Sequence, residues 1–157
     1  MTEYCLLMRK DLRQPLPPPQ WPEGIELCHF SQGLLPQIHA LLTLGYAAGQ
    51  GHVEPLEQWQ QNGLHDAEFD PQLCFICLLD GEVIGVALAW TSAYLKDLVV
   101  HPRLQGHGLG SALLNQVFDA FKQRGEACVD LKVMEHNHPA RQLYRKHGMQ
   151  KVLREAV

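Results

Sequence analysis

Two spacings of apolar residues alternate along the chain. Runs in which apolar side chains fill every second position, or every position, predict strands. They cover residues 4–9, 25–30, 73–79, 83–90, 93–100, 127–133 and 149–155. Apolar residues three and four apart predict helices over residues 34–46, 55–63, 111–124 and 139–147. This order predicts an α/β (α+β) fold, in which a mixed, mostly antiparallel central sheet carries helices on both faces.

Turn and cap residues separate these elements. Ser31 is predicted to cap the first helix, and Pro55 suits the first turn of the second. Asp80-Gly81 predicts a hairpin turn between two apolar strands. Gly125 is predicted to end the third helix. The glycine-rich stretch of residues 45–53 predicts a loop.

The N-terminal region divides the chain into three parts. Residues 1–13 hold a strand, residues 14–24 form a proline-rich, semi-rigid linker, and residues 25–157 form the main domain. Leu6 and Met8 occupy one face of the first strand and Leu7 the other, as an interior strand requires. We predict that this strand joins the main sheet beside the C-terminal strand. The linker also allows the strand to pass to a partner, so the protein is expected to be a monomer or a strand-swapped homodimer.

Composition narrows the class of protein. Apolar residues make up 46% of the chain and charged residues 19%, which indicates a globular domain. The net charge of -4 disfavours nucleic acid as a partner, because duplex-binding proteins carry a basic face. No apolar run reaches the length of a membrane span, and the N-terminus lacks a signal-peptide pattern. We expect a cytoplasmic protein that does not bind membranes.

The cysteines and paired histidines do not predict a metal site. The 5 cysteines are interpreted as reduced, buried thiols. Cys74 and Cys77 lie three apart in a predicted strand, so their side chains point to opposite faces. His136 and His138 flank Asn137, but no cysteine or carboxylate set completes a site. No metal is expected.

Residues 98–114 form a predicted strand, a glycine-rich turn and a helix start. Gly106, Gly108 and Gly110 allow the backbone to turn sharply and approach a ligand, and the helix amides and dipole favour an anion. This pattern predicts a pyrophosphate cradle, although a tight loop without a ligand explains the glycines equally well. A P-loop is excluded because no lysine precedes Ser111. A dinucleotide-binding fold is disfavoured because the glycines follow antiparallel strands late in the chain.

Residues 137–148 carry a second candidate segment. Ala140, Leu143, Tyr144 and His147 recur at helical spacing and share one face. The phenol of Tyr144 is able to donate a proton to a leaving thiolate, and Asn137 offers an amide before the helix. A helix-cap role for Asn137 and a packing role for Tyr144 are the favoured alternatives when this segment is considered alone.

Together the two segments resemble the GNAT superfamily of acyl-CoA-dependent N-acyltransferases. The motif Gln/Arg-x-x-Gly-x-Gly/Ala matches Gln105-Gly106-His107-Gly108-Leu109-Gly110. The motif Asn-x-x-Ala-x-x-Leu-Tyr-x-x-x-Gly matches Asn137, Ala140, Leu143, Tyr144 and Gly148. Both motifs stand in the family's order with a predicted strand between them, and the resemblance extends from about residue 25 to the C-terminus.

The resemblance implies acetyl-CoA as cosubstrate and a role for each motif residue. The backbone of Leu98, Val99 and Val100 is expected to pair with the pantetheine arm like an added strand. The motif that begins at Gln105 is expected to hold the pyrophosphate through the amides of Gly106, His107, Gly108, Leu109, Gly110 and Ser111. Asn137 and Ala140 are expected on the pantetheine side, and Tyr144 is expected to act as general acid to the CoA sulfur.

One departure from the family concerns the ends of the chain. Members of the superfamily usually end in a β-hairpin, whereas only residues 149–155 follow the last predicted helix here. The N-terminal strand looks like the final strand of such a domain moved to the front. The proline-rich linker is similar to the one between the halves of tandem GNAT proteins of the mycothiol synthase type. We interpret the chain as a permuted or tandem-derived single domain.

The predicted function is N-acetyl transfer from acetyl-CoA to a primary amine by direct transfer in a ternary complex. Asp97 is a candidate base acting through a water, although an edge or turn-facing aspartate is at least as well supported. Tyr46, His52 and Trp59 are candidates for an acceptor pocket, with packing or exposed roles favoured. The acceptor is a small-molecule or peptide amine that the sequence does not identify. The alternatives are a non-catalytic acyl-CoA binding or sensing module and a structural interaction domain.

Overall fold

A computed structural model describes residues 2–47 and 52–157 of the chain. Within them lie a seven-stranded sheet and four helices. The strands are β1 (Tyr4–Asp11), β2 (Glu26–His29), β3 (Phe69–Leu79), β4 (Glu82–Trp90), β5 (Tyr94–Val100), β6 (Cys128–Met134) and β7 (Gln150–Ala156). The helices are α1 (Leu35–Tyr46), α2 (Leu56–Trp59), α3 (Leu109–Gln123) and α4 (His138–Lys146). The α/β class predicted from periodicity is confirmed.

The strand order is β2-β3-β4-β5-β6-β1-β7. Every neighbouring pair is antiparallel except β5 and β6, which are parallel and register at one residue pair, Tyr94 with Asp130. The mixed, mostly antiparallel sheet is therefore confirmed. The hairpin between β3 and β4 turns at Asp80 and Gly81, which both adopt positive φ, as the Asp-Gly pair predicts.

Helices cover both faces of the sheet. On one face α3 buries Phe118 and Phe121 against β1 and β6, and α4 packs against the same apolar cluster. On the other face α1 and α2 bury Ile38 and Trp59 against β3, β4 and β5. We call the buried residues around Phe118 and Phe121 the α3 cluster, and those around Ile38 and Trp59 the α1 cluster. Cys77 belongs to the α3 cluster and Cys74 to the α1 cluster, so the prediction that they face opposite sides is confirmed.

Strand β1 lies between β6 and β7 and is antiparallel to both. Leu6 and Met8 of this strand are 2% and 3% exposed and belong to the α3 cluster. The prediction that the N-terminal strand completes the sheet beside the C-terminal strand is confirmed. The start of the linker is held against α3, because Lys122 Nζ donates hydrogen bonds to the backbone oxygens of Leu12 and Gln14.

Several local predictions need correction. Ser31 makes no side-chain cap hydrogen bond, because a 3₁₀ turn over Gln32–Leu34 separates it from α1. Strand β3 begins at Phe69, earlier than predicted, and its register with β4 shifts before Cys74, in the stretch that contains Pro71. The predicted loop of residues 45–53 overlaps the end of α1, and its residues 48–51 lie outside the described part of the chain.

The cysteine thiols differ in their exposure to solvent. Only Cys74 and Cys77 are buried, whereas Cys5, Cys28 and Cys128 are partly exposed, so the prediction of uniformly buried thiols was wrong. Burial raises the pKa of each buried thiol to about 12.

Among residues 2–47 and 52–157, no helix combines the length and the apolar character that a bilayer span requires.

Candidate active site

The candidate site lies where β5 and β6 separate. These parallel strands pair only at Tyr94 and Asp130, and within the described residues β5 has no strand partner on its β6 side from Leu95 to Val100. A cavity of about 310 Å³ occupies this gap. Leu98, Asn137, Ala140 and Tyr144, four of the residues singled out from the sequence, line it. The structure therefore brings the second motif to the unpaired edge of β5.

The glycine-rich turn joins β5 to α3. Gly106 and Gly108 both adopt φ of +85°, and a Cβ at either position would meet no atom within 4 Å. The first intrahelical hydrogen bond runs from Ala112 N to Gly108 O, so the amides of Leu109, Gly110 and Ser111 lack intrahelical acceptors. Open space in front of free amides at a helix N-terminus is the geometry that binds an anion.

The flanking motif residues hold this turn in place. Gln105 Nε2 lies 3.4 Å from the backbone oxygen of Val100, which closes the turn onto the end of β5. Leu109 is 1% exposed and anchors the first turn of α3 in the core. The side chain of His107 is exposed, as expected for a residue that contributes only its amide. Val99 is buried on the opposite face, against the α1 cluster.

Helix α4 supplies the other wall of the gap. Asn137 caps the helix, because its Oδ1 accepts a hydrogen bond from Ala140 N at 3.3 Å, and the two Nδ2 hydrogens remain available. The cap role that the sequence left as an alternative is thus present together with a position at the cavity. Burial raises the pKa of Tyr144 to about 12, so its phenol keeps its proton at neutral pH.

Asp97 lies within β5, on the stretch that has no β6 partner in the described part of the chain, and is buried, with 6% of its surface exposed. Tyr46 donates a hydrogen bond to its Oδ1 at 2.5 Å, and Lys96 Nζ lies 3.0 Å from its Oδ2. The register between β4 and β5 shifts after Leu88, which pairs with Asp97, because the next residue, Ala89, pairs with Leu95. Lys96 therefore has no partner on β4 and is the extra residue of a β-bulge.

Tyr46 and Lys96 both line the cavity, and sequence reasoning gave Lys96 no role. Burial, followed by the charge of Asp97, raises the pKa of Tyr46 well above its usual range. Tyr46 could be named as a pocket candidate because it lies where a predicted helix meets a glycine-rich loop. No sequence pattern predicts the β-bulge at Lys96, so its position at the cavity could not be predicted. Trp59 is 6% exposed in the α1 cluster and packs on His39, and neither it nor His52 lines this cavity.

Comparison with known proteins identifies the family. The family model "Acetyltransferase (GNAT) family" matches residues 35–149, which includes the gap, the glycine turn and α4. The chain belongs to the GNAT family of acetyltransferases. The recognition made from the two motifs is confirmed.

The relatives of this GNAT domain are often longer. A mycothiol acetyltransferase of Acidothermus cellulolyticus is 30% identical, over 91% of this chain and 50% of the relative. A GCN5-related N-acetyltransferase of Sphaerobacter thermophilus superposes with a TM-score of 0.82 at 27% identity, over 99% of this chain and 50% of that one. The chain thus spans about half the length of the first curated relative that it matches.

A shorter GNAT structure shares the fold. AAC(6')-Iy, in complex with the bisubstrate analogue CoA-S-monomethyl-acetylneamine, superposes with a TM-score of 0.64 at 16% identity, over 79% of this chain and 89% of that one.

No group of three or more histidine, cysteine, aspartate or glutamate side chains is placed to hold a metal ion in residues 2–47 and 52–157 of the present GNAT domain.

Proposed function

We propose that this GNAT domain transfers an acetyl group from acetyl-CoA to a primary amine by direct transfer in a ternary complex. One observation carries the proposal: the separation of β5 from β6 leaves a bare strand edge beside a cavity that Tyr144 lines. A bare strand edge accepts an extended ligand through its backbone hydrogen-bonding groups.

The residues of the gap fit an acyl-CoA. The backbone of Leu98, Val99 and Val100 would pair with the pantetheine arm, and Ala140 leaves room opposite that edge. The amides of residues 106–111 would hold the pyrophosphate, since the space above Gly106 and Gly108 is open. Asn137 would donate from Nδ2, which its cap hydrogen bond leaves free.

The chemistry needs one proton donor and one proton acceptor. When bound, acetyl-CoA supplies a thioester carbonyl that an amine nitrogen attacks directly. Tyr144 keeps its proton at neutral pH and would donate it from the phenol oxygen to the departing thiolate sulfur. Asp97 would receive the amine proton through the Tyr46 hydroxyl or a water, because its carboxylate lies below the cavity surface.

The acceptor belongs to the class of small-molecule or peptide amines. The curated relative is named mycothiol acetyltransferase, and AAC(6')-Iy is in complex with the bisubstrate analogue CoA-S-monomethyl-acetylneamine. The name of the relative supports a small-molecule acceptor for the present chain. In the present chain the acceptor would contact Tyr46 and Lys96, the two lining residues that belong to neither ligand motif and engage Asp97.

A second candidate function is acyl-CoA binding without catalysis. The hydrogen bonds of Asp97 favour this second function, because Tyr46 and Lys96 each donate to one of its two carboxylate oxygens. Each oxygen keeps one lone pair, but two donors already stabilise the ionised carboxylate and make it a weaker proton acceptor. Binding of CoA is common to both functions, and only turnover separates them.

Two measurements test the proposal in sequence. Calorimetric titration with CoA and acetyl-CoA tests binding, and absence of binding to either would overturn both functions. Release of free CoA thiol from acetyl-CoA is then followed with a chromogenic disulfide against a panel of amino acids, peptides, polyamines and aminoglycosides. Amine-dependent thiol release supports the transferase. Tight binding with no release across the panel supports the binding module.

A further inference from the structure

Helices α3 and α4 are joined by a side-chain hydrogen bond beside the glycine turn. His147 Nε2 lies 2.8 Å from Ser111 Oγ. Ser111 stands in the first turn of α3, where its amide lacks an intrahelical acceptor, and His147 is the C-cap residue that follows α4. Neither side chain has a part in the proton transfers described above.

The two helices are packed closely at this point. A Cβ at Gly110 would lie 3.5 Å from Leu143 Cδ2, an ordinary contact distance, so α4 rests on the first turn of α3. Leu143 and His147 are four residues apart and therefore share one face of α4. The contact and the hydrogen bond together fix the orientation of His147 toward Ser111.

The N-terminal strand supports His147 from the other side. Lys10 Nζ donates a hydrogen bond to the backbone oxygen of His147 at 2.8 Å, and the same ammonium lies 5.5 Å from the centre of the Phe118 ring on α3. A Cβ at Gly148 would come within 2.6 Å of Lys10 Nζ, and φ of +86° at this position also favours glycine. A continuous path of contacts thus runs from β1 through His147 to the glycine turn.

We propose that His147 is a positioning residue for the pyrophosphate of acyl-CoA, which it orients through Ser111. The inference rests on the proposed acyl-CoA site. A serine hydroxyl has one proton to donate. When His147 donates from Nε2 to Ser111 Oγ, the hydroxyl proton of Ser111 is available for a hydrogen bond to a phosphate oxygen. When His147 Nε2 accepts, the hydroxyl proton is used in the bond to His147.

Binding of an anion there is coupled to protonation of His147. Partial burial, then the charges of Lys146 and Lys10, lower the pKa of His147, so the ring is neutral in the free domain at neutral pH. A bound pyrophosphate favours the charged ring and raises that pKa. CoA binding therefore takes up protons, and affinity rises as pH falls through the pKa of the CoA-bound form and levels off below the lower pKa of the free domain.

The coupling is measured by calorimetry on the whole chain. Dephospho-CoA is the probe, because the 3′-phosphate of CoA titrates in the same range as histidine. Titration of the wild type at one pH in two buffers of different ionisation enthalpy gives the number of protons taken up. The same titrations are made on His147→Gln and Ser111→Ala, with His138→Gln as a matched control that replaces an exposed histidine at the other end of α4.

The expected result is proton uptake by the wild type and by His138→Gln. His147→Gln and Ser111→Ala are expected to weaken binding by about tenfold, the usual effect of losing a hydrogen bond to a charged group. His147→Gln should also abolish the uptake and flatten the dependence of affinity on pH. The double variant should be no weaker than either single variant, because the two residues act in one path.

Two outcomes would overturn the inference. One is a wild type that binds dephospho-CoA without proton uptake, a result that needs no variant and is therefore independent of folding. The other is a folded His147→Gln protein with wild-type affinity and pH dependence. If the wild type binds neither CoA nor dephospho-CoA, the proposed function itself fails, so the two failures are distinguishable.

Discussion

The Tyr46 hydroxyl donates a 2.5 Å hydrogen bond to Asp97 Oδ1 and so connects the end of α1 to the middle of β5. The two residues are 51 positions apart in the chain. With Lys96 on the other oxygen, this bond satisfies a buried carboxylate that would otherwise be costly to keep in the interior. Tyr46, Lys96 and Tyr144 all line the cavity, so the contact lies at the candidate site.

Replacing Tyr46 by phenylalanine should therefore destabilise the domain. The change leaves one buried oxygen of Asp97 with a partner missing, which costs about 1–3 kcal/mol in free energy of unfolding. Tyr144→Phe is the matched control, since no hydrogen bond to the Tyr144 hydroxyl is found among the described residues; its effect should stay within about 0.5 kcal/mol. Urea unfolding of both variants checks this, and equal stabilities would show that the Tyr46–Asp97 bond contributes nothing.

Tyr144→Phe should act on turnover instead. A phenol that protonates the leaving thiolate works only in the transition state, so kcat should fall by about 100-fold while CoA affinity is kept. Because the pKa of Tyr144 is about 12, activity of the wild type should show no loss from this group up to about pH 10. Steady-state kinetics over pH and calorimetry with CoA measure both. An unchanged kcat, with chemistry shown to be rate-limiting, would leave Tyr144 a packing residue.

Gly108→Val should abolish or strongly weaken CoA binding, by more than about tenfold. A Val at φ of +85° is strained by about 1–2 kcal/mol, and its side chain would enter the open space in front of the α3 amides. Gly110→Ala is the control, because its Cβ would only reach ordinary contact with Leu143 and its backbone is not left-handed. Calorimetry and thermal unfolding separate binding from stability. Wild-type affinity in Gly108→Val would exclude the cradle.

The contribution of β1 to stability is tested by one pair of leucines. Leu6→Ala should cost about 2–5 kcal/mol, because Leu6 is 2% exposed between β6 and β7. Leu153→Ala removes the same atoms from a residue that is 48% exposed on β7 and should cost less than about 1 kcal/mol. Urea titration of both variants gives the two values. Similar losses would mean that β1 is not part of the cooperative core.

Deletion of residues 1–10 extends this prediction to the whole strand. Without β1, the edges of β6 and β7 that now pair with it would be exposed, and exposed edges promote aggregation. We expect the truncated protein to be insoluble or to melt far below the wild type. A soluble truncated protein with an unchanged melting temperature would contradict the interior position of the strand.

The secondary elements and both ligand motifs were accessible from the sequence because they are local properties. The spacing of apolar residues sets the faces of α3 and of the strands, and the glycines at 106 and 108 mark positions where only a residue without Cβ is unstrained. The apolar character of both faces predicted an interior β1. Ser31 failed as a cap because a 3₁₀ turn intervened, a detail of a few dihedral angles that composition does not encode.

Only the tertiary structure decided what those elements enclose. Strand β1 pairs with one edge of β6, whereas β5 separates from the other edge after a single residue pair. The first of these pairings joins strands more than 100 residues apart along the chain. The partners Tyr46 with Asp97 and Ser111 with His147 lie on different elements, so their contact follows from how α1, α3 and α4 pack on the sheet. Periodicity fixes which face of an element is buried, whereas the neighbour that the face meets is fixed by packing over the whole domain.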